Sequence, residues 1–167
     1  TMDIAVLGYG VVGSGVAEVV SLNSEKIAGK LGGEKLNVKY ILDLRKFPGD
    51  KNEDKIIDDF NIILNDGGVK IVAEAMGGLH PAFEFVSSCL KAGKSVVTSN
   101  KELVAEKGDI LLETAKENNV NFMFEASVGG GIPVIHPIDS CLRANDISEV
   151  DGILNGTTNY ILTKMFN

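Results

Sequence analysis

The segment "DIAVLGYGVVGSGV", residues 3 to 16, decides the fold of this chain. An apolar run leads into the pattern G-x-G-x-x-G, formed by Gly8, Gly10 and Gly13, and further apolar residues follow at helical spacing. Between a strand and a helix, these glycines permit a tight turn, backbone approach to a pyrophosphate and close helix packing. Free N–H groups at the helix N-terminus attract an anion. The segment predicts a dinucleotide-binding loop, and a glycine turn without a ligand is the alternative.

Five short apolar runs are candidate strands, and amphipathic helical patterns lie between them. The strand candidates are residues 3–8, 38–42, 70–75, 95–98 and 120–125. Their nearly continuous hydrophobicity is typical of parallel strands covered on both faces. The alternation of strand and helix predicts an α/β fold, a Rossmann-like doubly wound parallel sheet.

The helical patterns make specific predictions about burial. The first helix is expected to bury Val12, Val16, Val19, Val20 and Ile27, and the second contains Ile56, Ile57, Phe60, Ile63 and Leu64. A later helical pattern is broken at Gly108, and the segment "FPGDKNEDK", residues 47–55, reads as a solvated loop.

Asp43 ends the second predicted strand, where an acid commonly hydrogen-bonds the adenosine ribose. It follows the glycine loop at more than the usual spacing of about 20 residues. A 2'-phosphate on that ribose would be repelled by Asp43 and attracted by Arg45 and Lys46. These effects nearly cancel, so NAD and NADP both stay open, and Arg45 and Lys46 are equally well explained as solvated loop charges.

Two further features stand at predicted carboxyl ends of strands, where open α/β sheets meet their ligands. Gly77 and Gly78 follow the third strand, and they indicate either close approach of a ligand or a simple turn. Lys101 follows the fourth strand and is either a functional amine or a solvated lysine at a helix start. His80 is assigned no role.

Composition narrows the function classes. The chain has 167 residues, a net charge of −7 and a pI near 4.8, and it lacks a long basic cluster, so nucleic acid is not an expected partner. Cys89 and Cys141 lack the spacing of a zinc site or a disulfide framework. Without an apolar stretch of membrane-spanning length or a basic leader, a cytoplasmic location without membrane association is expected.

The sequence changes character after Glu125. A glycine-rich turn precedes a predicted short helix over residues 133–144, a strand over 147–155 and a helix beginning near Thr157. That strand has no evident partner and the last helix no evident end, which predicts the amino-terminal part of a longer protein. We divide the chain into a nucleotide-binding domain, residues 2–131, and the beginning of a truncated α+β substrate domain, residues 132–167.

Five stretches, in order along the chain, together resemble the homoserine dehydrogenase family. They are "GYGVVGSGV", "ILNDGGVKIVAEAMGGLHPA", "CLKAGKSVVTSNKELVA", "FMFEASVGGGIPVI" and "NGTTNYILTKM". The resemblance implies a Rossmann-like domain that binds NAD or NADP and an enzyme that interconverts L-aspartate 4-semialdehyde and L-homoserine, on the route to threonine and methionine. It also implies a homodimer in the full-length protein, and a fragment that is weakly active or inactive because further catalytic residues lie beyond Asn167.

The resemblance, together with the loops described above, implies the site residues. Lys101 would be catalytic, stabilising alkoxide charge or taking part in proton delivery. The expected cofactor-binding residues are Gly8, Gly10, Val11, Val12, Gly13, Asp43, Arg45, Met76, Gly77, Gly78, Thr98, Ser99 and Asn100. The expected substrate-binding residues are Lys101, Asn155, Gly156 and Thr157. A monovalent cation such as sodium would be held by Glu125, Val128, Gly130 and Ile132.

Plainer interpretations stand beside these roles. The glycines near residue 130 are also explained as a turn between domains, and a threonine at 157 or 158 as a helix cap. Leu42 stands where many family members have Arg, which favours NAD, and His80 replaces a residue that is commonly Glu. Two other functions compete with this interpretation. One is another NAD(P)-dependent semialdehyde or sugar oxidoreductase, and the other is a nucleotide-binding regulatory module without catalysis. A nucleophilic cysteine is not expected at Cys89, which lies on an apolar helical stripe.

Overall fold

The computed structural model describes residues 1–152 and 156–166. Six strands form one parallel sheet in this part of the chain. They are β1 (Met2–Leu7), β2 (Leu36–Leu42), β3 (Ile56–Ile57), β4 (Val69–Glu74), β5 (Ser95–Thr98) and β6 (Phe122–Met123). The strand order is β3-β2-β1-β4-β5-β6. The chain order therefore reverses between β1 and β4, which is where a doubly wound sheet opens a crevice for ligands.

Helices cover both faces of the sheet. The helices in the described ranges are α1 (Val11–Leu22), α2 (Ser24–Lys30), α3 (Phe60–Asn65), α4 (Ala82–Lys91), α5 (Lys101–Glu117), α6 (Ile135–Cys141) and α7 (Gly156–Phe166). Of these, α6 and α7 bury no residue. Alternate residues of a strand point to opposite faces, and β1 follows this rule. Ala5 and Leu7 share a buried cluster with α4 and α5, whereas Ile4 and Val6 share a second cluster with α1. The doubly wound α/β prediction is confirmed.

The register of the strands brings the predicted site residues to one edge. Leu7 is paired with Leu42 on one side and with Glu74 on the other, and Glu74 is paired with Thr98. Because these strands are parallel and end together, the loops that follow them emerge side by side. These loops hold the glycine pattern, Asp43, the Gly77–Gly78 pair and Lys101.

A sixth strand replaces the start of the second predicted helix. Ile56 and Ile57 pair with Ile41 and Leu42 and form β3 at the edge of the sheet. The helix begins only at Phe60, since the side chain of Asp59 accepts a hydrogen bond from the amide of Asn61 at 2.9 Å and caps it. The apolar spacing alone could not distinguish these alternatives.

The burial predicted for the first helix is wrong in part. Val12 and Val19 are 52% and 55% exposed, and Ile27 belongs to a separate helix, α2, because α1 ends at Leu22. The buried residues of α1 are Gly13, Ala17 and Val20. Small residues face the sheet because α1 lies close to β1, so volume rather than hydropathy selects the buried face. Gly108 likewise is buried within α5 and does not interrupt it.

The region after Glu125 also departs from expectation. Residues 147–152 form no strand, and residues 153–155, the rest of that predicted strand, lie outside the described residues. No neighbouring strand pairs with the segment 147–152, and an extended segment without a pairing partner does not form a sheet. α6 is shorter than predicted, and residues 142–152 are exposed throughout. Of the helices in the described ranges, none is long and apolar enough to cross a membrane.

Candidate dinucleotide-binding site

Steric contacts require glycine at both ends of the loop between β1 and α1. Gly8 has a φ of +91°, and a Cβ there would stand 3.0 Å from the carbonyl oxygen of Ala75. A Cβ on Gly13 would stand 1.8 Å from the carbonyl oxygen of Gly8. The absence of side chains at these two positions lets α1 approach β1 and lets the loop pass against the end of β4.

Gly10 is different, because nothing in the described protein requires glycine there. Its φ of −84° and ψ of −161° are extended values that any residue adopts, and no protein atom lies within 4 Å of a Cβ built on it. Gly10 is also the N-cap of α1 and supplies no side-chain cap, and the first turn of α1 has no acidic residue. The 12-residue helix thus presents uncapped N–H groups to open space, as an anion site requires.

Asp43, at the end of β2, lies against the glycine loop. Its Oδ2 accepts a hydrogen bond from the amide of Tyr9 at 2.8 Å, and its Oδ1 accepts one from the amide of Arg45 at 2.9 Å. The Arg45 guanidinium also binds both oxygens, which together with the backbone amides holds the pKa of Asp43 well below its usual range. Asp43 is therefore ionised, and 63% of the Arg45 side chain stays exposed above it.

A cleft of about 590 Å³ opens beside this pair. Its walls combine the glycine loop and the end of β2 with apolar side chains from α3, α4 and the loop after β4. The lining residues are Gly8, Gly10, Leu42, Asp43, Leu44, Arg45, Asp58, Phe60, Ala75, Met76, Pro81 and Phe85. Phe60 and Phe85 stack with their ring centroids 4.1 Å apart. A largely apolar cleft next to a carboxylate is suited to an adenosine group.

A second cleft, of about 280 Å³, lies between α1 and the ends of β4, β5 and β6. Its walls are mostly apolar, with Thr98, Ser99 and Glu125 supplying polar groups. The lining residues are Val12, Val16, Ala73, Glu74, Ala75, Val97, Thr98, Ser99, Met123, Glu125 and Ala126. Ala75 borders both clefts. A ligand with two ring systems joined by a pyrophosphate has a place for each of its parts.

Glu74 is a site residue that the sequence interpretation missed. It is 2% exposed, its Oε1 accepts from the amide of Met76 at 2.8 Å, and its Oε2 accepts from the hydroxyl of Thr98. Thr98 Oγ1 in turn accepts from the amide of Asn100 at 2.9 Å. The sequence offered one signal for this role, since Glu74 is a charged residue within the apolar run "KIVAEA". A carboxylate buried in a strand needs hydrogen-bond donors from neighbouring elements.

Asn100 extends this network to the start of α5. Its Oδ1 accepts from the amide of Leu103 at 3.1 Å, and its Nδ2 donates to the carbonyl of Gly78 at 2.6 Å. The loops after β4 and β5 are thereby tied together. Lys101 is the first residue of α5, directly after Asn100, and it is exposed. Lys101 follows Ser99, which lines the second cleft, by two positions in the chain, and Lys101 itself lines neither cleft.

The predicted cation-binding segment is folded around Glu125. Its carboxylate accepts hydrogen bonds from the backbone amides of Val134, Ile135 and His136, and these bonds lower its pKa. Gly129 has a φ of +72°, and a Cβ there would stand 2.8 Å from the carbonyl oxygen of Ile132. Within the described ranges, no group of three or more His, Cys, Asp and Glu residues could hold a metal ion. Any cation here would depend on backbone carbonyls as well as on Glu125.

Two of the predicted substrate-binding residues lie at the start of α7. Gly156 is its first residue and Thr157 its second, and both are exposed, whereas Asn155 lies outside the described residues. Because α7 already begins at Gly156, Thr157 lies within the first turn and not at the capping position that was the alternative for it. The structure therefore assigns neither residue a contact with the clefts.

The two cysteines differ in environment. Cys89 is fully buried in α4, and burial raises the pKa of its thiol to about 12. A thiolate nucleophile at Cys89 is excluded, as the sequence predicted, because it would be neither ionised nor accessible. Cys141 is exposed at the end of α6.

A glycine loop on an uncapped helix N-terminus, an acid at the end of β2 and a cleft on either side are the features of a dinucleotide-binding domain of the Rossmann class. Residues 8–125 match the family model described as the NAD-binding domain of homoserine dehydrogenase, and residues 133–167 match the model described as homoserine dehydrogenase. The chain belongs to the homoserine dehydrogenase family.

Individual relatives agree with this assignment. The chain is 37% identical over 169 residues to a homoserine dehydrogenase of Lactococcus lactis, covering 99% of this chain and 40% of the relative. It superposes on a homoserine dehydrogenase structure from Thiobacillus denitrificans with a TM-score of 0.88 and 36% identity, over 98% of this chain and 38% of that one. It also superposes on the structure of a hyperthermophilic archaeal homoserine dehydrogenase in complex with NADPH, with a TM-score of 0.81 and 29% identity. That superposition covers 98% of this chain and 56% of the archaeal one. The chain thus spans well under half of the bacterial relatives.

Proposed function

We propose that the complete protein is an NAD(P)-dependent homoserine dehydrogenase that interconverts L-aspartate 4-semialdehyde and L-homoserine, in the formation of threonine and methionine. This chain would supply the cofactor-binding part and the first segment of the substrate domain. The observation that carries the proposal is the open space at Gly10 before the uncapped N-terminus of α1, in a chain of this family. Neither the backbone angles nor the neighbours of Gly10 explain glycine there, whereas a bound pyrophosphate does.

The two clefts support a specific placement of the cofactor. The pyrophosphate would lie on the α1 amides, with Gly10, Val11, Val12 and Gly13 around it. The adenosine would occupy the larger cleft, with a ribose hydroxyl donating to Asp43 and Met76, Gly77 and Gly78 along its side. The nicotinamide would occupy the smaller cleft near Thr98, Ser99 and Asn100. Both NAD and NADP remain in the proposal, and Arg45 is the group that would bind a 2'-phosphate.

Lys101 is the proposed catalytic residue of this chain. When bound, the nicotinamide supplies or accepts the hydride. The ammonium of Lys101 would stabilise negative charge on the substrate oxygen, or move a proton to or from it. Its position at the start of α5 supports this role, because the Glu74–Thr98–Asn100 network holds that helix start in place. Asn155, Gly156 and Thr157 are proposed to contact the amino acid.

A monovalent cation such as sodium is a further part of the proposal. The donors would be Glu125 and the backbone carbonyls of Val128, Gly130 and Ile132, a set of hard oxygen ligands that suits such an ion. Glu125 Oε2 accepts one amide hydrogen bond, from His136 at 2.6 Å, which leaves it acceptor capacity. The ion would hold the glycine-rich segment in one conformation beside the second cleft.

The organisation of the complete protein is also proposed. A domain boundary after residue 131 is supported by the two family matches, because the first ends at residue 125 and the second begins at residue 133. A homodimer and a cytoplasmic location remain predictions from the resemblance and the composition.

Cofactor titration and turnover test the proposal together. We expect the purified protein to bind NADPH or NADH, and Gly10→Ala to weaken binding about tenfold or more without unfolding the chain, because the added methyl meets only the ligand. Gly15→Ala is the matched control, since its Cβ also has no neighbour within 4 Å. The full-length protein should reduce NAD or NADP in the presence of homoserine. Cofactor binding without turnover would favour a nucleotide-binding regulatory module instead.

A further inference from the structure

We propose that Tyr9 is a positioning residue that couples the glycine loop to residues 43–52, here called the adenosine-side loop, and that its hydroxyl sets the preference between NADPH and NADH. The proposal rests on the cofactor site proposed above. Tyr9 occupies a position of the G-x-G-x-x-G pattern that the turn itself leaves free. The geometry of the turn therefore does not explain a buried tyrosine at that position, and its contacts with other parts of the chain must.

The side chain of Tyr9 forms hydrogen bonds and an aromatic contact with the adenosine-side loop. Tyr9 is 5% exposed, and its hydroxyl donates to Asp50 Oδ1 at 2.8 Å and accepts from Asn52 Nδ2 at 2.9 Å. The backbone amide of Asn52 donates a hydrogen bond to the same Asp50 oxygen at 2.8 Å. Asn52 is 8% exposed, so the segment that the sequence presented as a solvated loop is anchored against the glycine loop at this point.

Tyr9 also reaches Arg45 by two separate routes. Its amide donates to Asp43, whose carboxylate holds the Arg45 guanidinium. Its ring packs edge-on against Phe47 with centroids 5.0 Å apart, and the Arg45 guanidinium lies 5.1 Å from the centre of the Phe47 ring. Two of the groups that contact the exposed Arg45 guanidinium, the Asp43 carboxylate and the Phe47 ring, are thus themselves in contact with Tyr9.

The consequence differs between the two cofactors. A 2'-phosphate on the adenosine ribose would meet Arg45, and this contact depends on where the adenosine-side loop holds the guanidinium. NADH has no such phosphate, and its ribose hydroxyls would depend on Asp43, which is fixed by β2 and by the Tyr9 amide. Removing only the Tyr9 hydroxyl should therefore weaken NADPH binding selectively.

The test compares cofactor affinities of the purified protein by fluorescence titration. We expect Tyr9→Phe to raise the Kd for NADPH about tenfold and the Kd for NADH less than about twofold. Asp50→Ala removes the acceptor instead of the donor and should reproduce the selective loss. Tyr40→Phe is the control, because its hydroxyl also bonds an aspartate, Asp66, outside the site.

Each outcome decides the question. Equal weakening of both cofactors by Tyr9→Phe, or no change in either, would overturn the positioning role while leaving the cofactor site intact. A Tyr40→Phe effect as large and as selective would also overturn it. A parent protein that binds neither cofactor would overturn the proposed function itself.

Discussion

The guanidinium of Arg45 donates two hydrogen bonds to the carboxylate of Asp43, from Nη2 to Oδ2 at 2.8 Å and from Nε to Oδ1 at 3.0 Å. Arg45 thus already compensates the negative charge of the ionised Asp43, which reduces the repulsion that Asp43 alone would exert on a 2'-phosphate. The weakly hydrated, planar guanidinium can hold a carboxylate and a phosphate at once, because it has five N–H donors. We therefore expect the site to tolerate NADPH, although an acid at this position is typical of NAD sites.

Replacing Arg45 tests this arrangement. We expect Arg45→Leu to weaken NADPH binding about 10- to 100-fold, because a charge-assisted contact to the phosphate is lost, and to change NADH binding less than about threefold. Lys30→Leu is the control, since Lys30 is exposed in the last turn of α2 and lines neither cleft. Parallel titrations with both cofactors are the measurement. Equal losses for the two cofactors would remove the 2'-phosphate from the explanation.

Gly13 and Gly15 stand in the same helix and should respond oppositely to alanine. Gly13→Ala places a methyl group 1.8 Å from the Gly8 carbonyl oxygen, so we expect destabilisation of about 3 kcal/mol or more. Gly15→Ala meets no neighbour and should stabilise α1 by about 0.5 to 1 kcal/mol. Urea denaturation measures both. Similar free energies of unfolding for the two variants would contradict the packing of α1 on β1.

Lys101 should affect turnover rather than cofactor affinity. In the full-length protein we expect Lys101→Ala to lower kcat about 100-fold or more, with the Kd for the cofactor unchanged within about twofold. Lys116→Ala, in the last turn of the same helix, is the matched control. Steady-state kinetics with homoserine and a separate cofactor titration provide the comparison. Full turnover in Lys101→Ala would exclude the lysine from the reaction.

The buried Glu74 depends on the hydroxyl of Thr98. Thr98→Val keeps the shape but leaves the carboxylate with one donor fewer, and we expect it to cost about 1 to 3 kcal/mol of folding free energy. Thr98→Ser retains the hydroxyl and should recover most of that loss. Thr163→Val, at an exposed hydroxyl in α7, should change stability little. A Thr98→Val protein as stable as its parent would show that Glu74 finds another donor.

Acid should weaken the fold through Asp66. A hydrogen bond from Lys39 lowers the pKa of Asp66 from 3.8 to about 2. A depressed carboxyl pKa stabilises the folded state above the unfolded pKa, and this stabilisation is lost as the pH falls through the folded pKa. The melting temperature should therefore fall between roughly pH 4 and pH 2. Asp66→Asn should flatten this part of the profile, and an unchanged slope would assign the acid sensitivity to other carboxylates, with Asp43 the first candidate.

Part of the fold could be predicted from short-range patterns. Gly8 and Gly13 marked the turn between β1 and α1 because their requirements are steric and local. The continuous apolar runs predicted five of the six strands, since burial on both faces leaves a direct trace in composition. β3 was missed because two isoleucines suit a strand or a helix equally, and only pairing with β2 decides between them.

By itself, the sequence determined the α/β class, the glycine loop and the family, because each of these is expressed in neighbouring residues or in their order along the chain. Only the tertiary structure decided which groups meet. Tyr9 and Asp50 are separated by 41 positions, and Glu74 and Thr98 by 24. Hydrogen bonds of this kind depend on strand register and loop placement, so no local pattern reports them. The groups that hold the adenosine-side loop and the start of α5 were therefore visible only once the strands were aligned at one edge of the sheet.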